Sequence, residues 1–271
     1  DCDKMLLDPN VDIVYIATPY DLHYNYMKKA VCNGKHVLCE KAITVNARQL
    51  EEVRALAVEK DVVVMEAMTI YHMPLYIKLR ELIDSGTIGK VKMLQANFGI
   101  AREFDSDSHF FRKELGGGAL LDFGVYAASF SRWFLQESPD VVLSVPEYSS
   151  TGIDEQSAII FKNRQGQMGV MALTMCAKHP QRAVGMISGE KGYIEVSDYP
   201  RADKALLFRT EDNSTEEIVA GKTKNALQYE ISDMRACVAG EQRNFTLPLS
   251  GDVMDLLTKI RNQWGMVYPF E

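Results

Sequence analysis

Hydrophobic positions change their period along this chain, and the changes divide it. After an Asp8-Pro9-Asn10 turn, Val11 to Ala17 is an almost continuous β-branched run, the mark of a strand buried on both faces of a parallel sheet. Little precedes it, so its neighbours have to come partly from downstream. Met27, Ala30 and Val31 then recur at helical spacing over 22–33, with Gly34 placed to end that helix. A short strand at 36–39 follows, then an amphipathic helix over 46–60 with Leu50, Val53 and Ala57 on one stripe, and a strand at 62–65. This alternation predicts half of a doubly wound α/β domain.

The grammar changes near residue 70. Pro74 opens a helix carrying Leu75, Leu79, Leu82 and Ile83 on one face, closed by Gly86 and Gly89. Strand patterns then follow one another at 91–99, 141–148, 157–162, 167–175, 183–188, 193–196 and 205–209. They predict a largely antiparallel sheet, with one helix at 119–135 and two more at 223–239 and 252–264. The expected architecture is therefore α/β followed by α+β. Residues 1–69 would form part of a doubly wound parallel sheet, and residues 70–271 a larger domain of mainly antiparallel sheet covered by helices. With no Pro/Ser-rich linker between them, the two parts should pack tightly. Met168-Gly169-Val170-Met171-Ala172-Leu173 is apolar in both directions, so the face of the larger sheet away from its helices should be covered by a second copy, as a homodimer.

Composition adds exclusions. The 271 residues carry 30 Lys and Arg against 37 Asp and Glu, a net charge of −7, which offers no basic footprint for nucleic acid or an anionic membrane. No apolar stretch is long enough to span a bilayer, and Asp1-Cys2-Asp3-Lys4 lacks the apolar core of a signal peptide. Five scattered cysteines fit a reducing cytoplasm better than a disulfide framework.

Three segments could carry chemistry. Ala17-Thr18-Pro19-Tyr20-Asp21-Leu22-His23 lies at the carboxyl end of the first strand, where open α/β sheets bind ligands; equally, Thr18 or Asp21 could simply cap the next helix. Glu40-Lys41-Ala42 lies at the end of the next strand, where Lys41 could meet a ligand oxygen or just be solvated. Gly116-Gly117-Gly118 precedes a helix that puts Asp122 and Tyr126 four residues apart on one otherwise apolar face. The glycines allow close backbone approach and leave amide groups free at the helix start. A buried Asp–Tyr hydrogen bond without chemistry is the competing reading. Tyr24-Asn25-Tyr26-Met27-Lys28 matches the Tyr-x-x-x-Lys of short-chain dehydrogenases, but it follows the first strand directly and lacks a preceding catalytic serine.

Taken in order, these segments resemble the glucose–fructose oxidoreductase / inositol dehydrogenase / rhizopine-catabolism (Gfo/Idh/MocA) family. The resemblance rests on Ala17-Thr18-Pro19, His23, Gly34 to Lys41, Met65-Glu66-Ala67, Gly86 to Val91, Gly116 to Tyr126 and Gly189 to Val196. Tyrosine at 126, where many members have histidine, is closer to the dihydrodiol dehydrogenase-like branch. The resemblance implies a Rossmann domain binding NAD or NADP, and hydride transfer between nicotinamide and a secondary alcohol, diol or sugar. It implies Tyr126 as proton donor and acceptor, helped by a nearby lysine cation, Lys41 as that electrostatic partner and Asp122 as the orienting acceptor. Ala17, Thr18, Pro19, His23, Glu40 and Lys41 would line the cofactor, and Arg112 could fork onto substrate.

Three departures accompany it. The family's opening strand and glycine-rich turn are not seen before Val11, a difference of roughly 60 residues, which leads us to expect weak dinucleotide binding by this chain. Ala42 stands where proline is usual, so the loop around Lys41 should be less rigid. Tyr71-His72 replaces a frequent Arg-Phe pair. A non-catalytic member acting as a ligand-binding or regulatory protein is the rival reading.

Overall fold

In the computed structural model, which describes residues 2–177 and 182–271, the two predicted sheets are present. The first is parallel, in the order β1 (Ile13–Ile16), β2 (His36–Glu40), β3 (Val64–Ala67). Helix α1 (Cys2–Leu7) precedes β1 and was not expected; with six residues and Leu6 alone buried, it has no periodic stripe to read. Helices α2 (Tyr20–Cys32) and α3 (Ala47–Glu59) bury the stripes read from the sequence: Met27, Ala30 and Val31 on one, Leu50, Val53 and Ala57 on the other. Asn46 caps α3, its side chain accepting the Gln49 amide at 2.9 Å.

Beyond β3 come α4 (Thr69–His72), a single turn, and α5 (Pro74–Asp84). The second sheet has eight strands: β4 (Val91–Gly99), β5 (Val141–Tyr148), β6 (Asp154–Lys162), β7 (Met168–Thr174), β8 (Ala183–Gly189), β9 (Gly192–Ser197), β10 (Lys204–Arg209) and β11 (Thr215–Val219). Their order is β11-β10-β9-β8-β4-β7-β6-β5, antiparallel except where β4 lies parallel to β7. Edge strand β11 escaped the sequence reading because only Ile218 in it is buried. The remaining helices are α6 (Val125–Phe134), α7 (Ala226–Val238) and α8 (Thr246–Trp264).

Buried side chains on one face of the large sheet, such as Leu94, Ile159, Met171, Leu173, Ile187 and Leu207, belong to a continuous core that includes Met27, Val37, Leu50, Phe130 and Leu257. Helix α8 joins the two parts, packing on α3 and β3 of the first and on α6 and β5 of the second. The Arg132–Asp252 ion pair at 2.7 Å ties α6 to α8. This packing places the carboxyl ends of β1 and β2 beside the start of α6.

Candidate active site

Lys41, just past β2, is the centre of the site. Its ammonium donates to Asp122 Oδ1 at 2.7 Å, to the Asp122 carbonyl at 3.0 Å and to the Tyr20 hydroxyl at 3.1 Å, and it lies 4.9 Å from the centroid of the Tyr126 ring. The Lys41 and Asp122 side chains are 14% and 15% exposed. Burial alone would lower the pKa of the ammonium. The acidic groups around it, Tyr20, Asp122 and Tyr126, override that and raise it, so Lys41 is a cation.

Tyr20 was not singled out from the sequence. Its hydroxyl donates to Asp122 Oδ1 at 3.2 Å while accepting from Lys41, so both of its roles are taken. An aromatic at a helix start reads as core. The available signal was its place directly after Pro19, at a strand's carboxyl end. The Tyr126 hydroxyl, by contrast, has no hydrogen-bond partner among the described residues, and the side chain is only partly buried. Burial raises the Tyr126 pKa and the Lys41 charge pulls against it without winning. The phenol is therefore held protonated.

Asp122 does not sit in a regular helix. Leu120–Gly124 is a π-helical turn leading into α6, and such a turn breaks the regular ladder of i to i−4 hydrogen bonds. Asp122 can thus offer Lys41 both a carboxylate and a main-chain carbonyl. The glycines before it do not leave amides free, as expected from sequence. Gly117 N–H goes to Arg112 O at 2.9 Å, Gly118 N–H to Phe110 O at 3.0 Å and Leu120 N–H to Asp154 Oδ2 at 2.6 Å. Glycine is required here by close approach, since a Cβ on Gly117 would fall 2.6 Å from Phe110 O.

Of the residues expected to line a cofactor, Ala17 and Pro19 are exposed at the end of β1, and Glu40 accepts from Tyr15 and from the Lys41 amide. Thr18 Oγ1 and Asp21 Oδ1 are buried without a partner, and no side chain caps α2. These orphaned polar atoms at the strand end fit a polar ligand resting there. His23 is fully buried, with Nε2 on Thr18 O at 2.8 Å and Nδ1 on Ala42 O at 2.9 Å, so it links the two strand-end turns from beneath.

Arg112 lies apart from the Lys41 cluster. Its side chain is 43% exposed and its ion partner is Glu114, at 3.9 Å; the structure does not bring it to Lys41 or Asp122. The arginine that reaches the site is Arg102, which lay in a patternless loop. Its guanidinium carbon lies 3.3 Å from the Phe110 ring centroid and Nη2 lies 3.5 Å from Asp122 Oδ2, while its Nε is buried without a partner. Arg102 lines a cleft of about 750 Å³ together with Glu103, Phe104, Asp105 and Ser108.

The loop after Lys41 is not slack despite Ala42. Ala42 is fully buried and the Ile43 amide donates to Glu66 Oε1 at 3.0 Å. Tyr71 and His72 are buried too, Tyr71 stacked on Trp133 and His72 Nδ1 2.7 Å from Asp233. Tyr24 and Lys28 bond to each other and to Glu52 along α2 and α3, away from this cluster. Among the described residues no group of acidic, histidine or cysteine side chains could hold a metal ion, and no helix is long and apolar enough to cross a membrane.

Comparison with known proteins agrees with this layout. A family model described as an oxidoreductase family with an NAD-binding Rossmann fold matches residues 1–68, and one for the GFO/IDH/MocA C-terminal domain matches residues 76–195. The chain is 33% identical to a D-xylose 1-dehydrogenase (NADP(+)) from Hypocrea jecorina, covering 98% of this chain and 76% of that one. It is 29% identical to a trans-1,2-dihydrobenzene-1,2-diol dehydrogenase from Xenopus tropicalis, covering 98% and 82%. Among solved structures, an aldose-aldose oxidoreductase from Caulobacter crescentus complexed with glycerol superposes with a TM-score of 0.87 at 20% identity, covering 97% of this chain and 81% of that one.

Proposed function

The chain belongs to the Gfo/Idh/MocA family of NAD(P)-dependent oxidoreductases, and from that premise we propose that Tyr126, Lys41 and Asp122 interconvert a secondary alcohol of a diol or sugar and its carbonyl. The observation that carries this reading is the Lys41–Asp122 ion pair beneath a phenol whose hydroxyl has no hydrogen-bond partner among the described residues. Nicotinamide, when bound, supplies or takes the hydride. Thr18, Pro19, Asp21 and Glu40 at the ends of β1 and β2 are the groups that would hold it, together with the exposed Ala17.

Tyr126 gives its proton to the carbonyl oxygen in reduction and recovers it from the alcohol in oxidation. Proton transfer from a phenol leaves a negative oxygen, and Lys41 supplies a fixed positive charge beside it in a largely water-excluded setting. Asp122 and Tyr20 keep that ammonium in place. Arg102, whose side chain lines the cleft, is the donor suited to a substrate hydroxyl. The cleft sets Glu103, Asp105, Ser106 and Ser108 beside Phe104, Phe110 and Phe111, a mixed lining suited to a polyhydroxyl compound that also has an apolar face.

Residues 1–69 serve here as the nucleotide-binding part and residues 70–271 as the substrate-binding and oligomerisation part, with a homodimer formed through the open face of the large sheet. The five unpaired cysteines support residence in the reducing cytoplasm. The test is an assay with NAD and with NADP, on D-xylose, related sugars and trans-dihydrodiols, following reduced nicotinamide. Turnover of at least one substrate is expected, slow and only at high nicotinamide concentration in keeping with weak dinucleotide binding by this chain, together with loss of both turnover and cofactor affinity in Lys41→Met. Ligand binding without turnover across the panel would overturn the enzymatic reading in favour of a ligand-binding or regulatory protein.

A further inference from the structure

Asp154 opens β6 and lies outside the cluster just described. Its side chain is fully buried, which is costly for a carboxyl group unless a specific partner uses it. Oδ2 accepts the Leu120 amide at 2.6 Å and Oδ1 has no hydrogen-bond partner. Leu120 is the first residue of the π turn that carries Asp122. Gly118 sits against the same carboxyl group. Its φ is +125°, and a Cβ there would fall 2.3 Å from Oδ1. The backbone of 118–120 therefore rests directly on a buried acid from the large sheet.

We propose that Asp154 is a positioning residue for hydride transfer: through the Leu120 amide its carboxylate anchors the π turn and so keeps Asp122 seated on Lys41. The proposal rests on the role given above to Asp122 and Lys41. Its geometric basis is that Lys41 is held by two atoms of Asp122, the carboxylate oxygen and the main-chain carbonyl, so a shift of the turn weakens both contacts together. An ionised carboxylate is a stronger acceptor for an amide than a carboxylic acid, so the anchor depends on the protonation of Asp154.

The titratable groups facing Asp154 are Arg261 from α8, Tyr268 from the segment after α8, and Tyr148 at the end of β5. Burial pushes the Asp154 carboxyl up to about 7; the Leu120 amide and the Arg261 charge oppose the rise without cancelling it. The anchor should accordingly tighten as pH rises through neutrality.

The first test needs no cofactor. The Leu120 amide resonance of the chain is followed by NMR from about pH 5.5 to about pH 8.5, in wild type and in Asp154→Asn. A titration midpoint close to 7 is expected in wild type and none in the variant; a Leu120 amide that does not move in wild type would overturn the anchor. The second test is kinetic. Asp154→Asn should lower kcat about tenfold at pH 8 with KM little changed, and should flatten the limb of the wild-type pH profile near neutrality. Unchanged kcat and an unchanged profile would show that Asp154 has no part in positioning. Failure of the underlying site reading looks different: Asp122→Asn and Lys41→Met would keep their turnover while the Leu120 titration persisted.

Discussion

Tyr20 and Tyr126 both lie beside Lys41, and their partners assign them different work. Tyr20 is saturated by Lys41 and Asp122, whereas the Tyr126 hydroxyl has no hydrogen-bond partner among the described residues. Tyr126→Phe should therefore cost about 10²-fold or more in kcat, because it removes the proton in flight. Tyr20→Phe removes one hydrogen bond to each of two retained partners and should cost about tenfold or less. Steady-state kinetics on one good substrate compares them, and the reverse order would exchange their roles. A separate residue effect concerns Glu230 on α7, which is 1% exposed with Oε1 unpartnered. Burial first and the Glu40 charge second push its pKa from an ordinary 4.5 up to about 8, against the pull of Arg201. The folded state thus holds the proton more tightly than the unfolded one, and the stabilising effect is full below about pH 4.5 and fades as pH rises through about 8. Glu230→Gln removes this dependence. Its Tm should rise relative to wild type between about pH 5 and about pH 8, and equal Tm differences at both ends would refute the assignment.

At the scale of elements, the turn between Gly116 and α6 combines a predicted feature with one that sequence patterns do not carry. The glycines, Asp122 and Tyr126 were legible because their types are unusual on an apolar helix. The π turn was not, since its signature is a hydrogen-bond shift that no residue type encodes. Lys41 and Asp122 could be paired only through the family resemblance, being 81 residues apart in the chain. Tyr20 and Arg102 were missed for the same reason: each matters through what folding brings beside it. The core strands and helices were readable wherever one face is buried, as in α2 and α3. Strand β11 and helix α1, with one buried residue each, were not. The glycines make a direct prediction here. Gly118→Ala meets an unfavourable φ of +125° and places a methyl against the Asp154 carboxyl, so it should cost about 2 kcal/mol or more in urea unfolding. Gly152→Ala, which also has a positive φ but open space around its Cβ, should cost about 1 kcal/mol. Equal losses would mean that the contact with Asp154 contributes nothing.

Across the whole molecule, the large sheet is sided. Helices α6 and α8 cover one face, while the other exposes Val141, Leu143 and Val145 on β5, Ile160 on β6, Met168 on β7 and Leu206 on β10. Three of these alternate along one edge strand, and Leu143 and Val145 are 64% and 71% exposed. Single exposed apolar residues such as Leu206 are ordinary, but the run from β5 across β6 to β7, on neighbouring strands, calls for a partner surface. The homodimer proposed above would cover it, since two identical sheets related by a twofold axis bury such a face symmetrically. The Lys41–Asp122–Tyr126 cluster lies at the end of the first sheet, on the start of α6, so the pairing would leave it open to ligand. Sedimentation velocity at micromolar concentration should show a dimer for the wild type, and Leu143→Arg with Val145→Glu should shift it to monomer with little change in far-ultraviolet circular dichroism. A wild-type monomer under those conditions would remove the self-association reading and leave the exposed face to another partner.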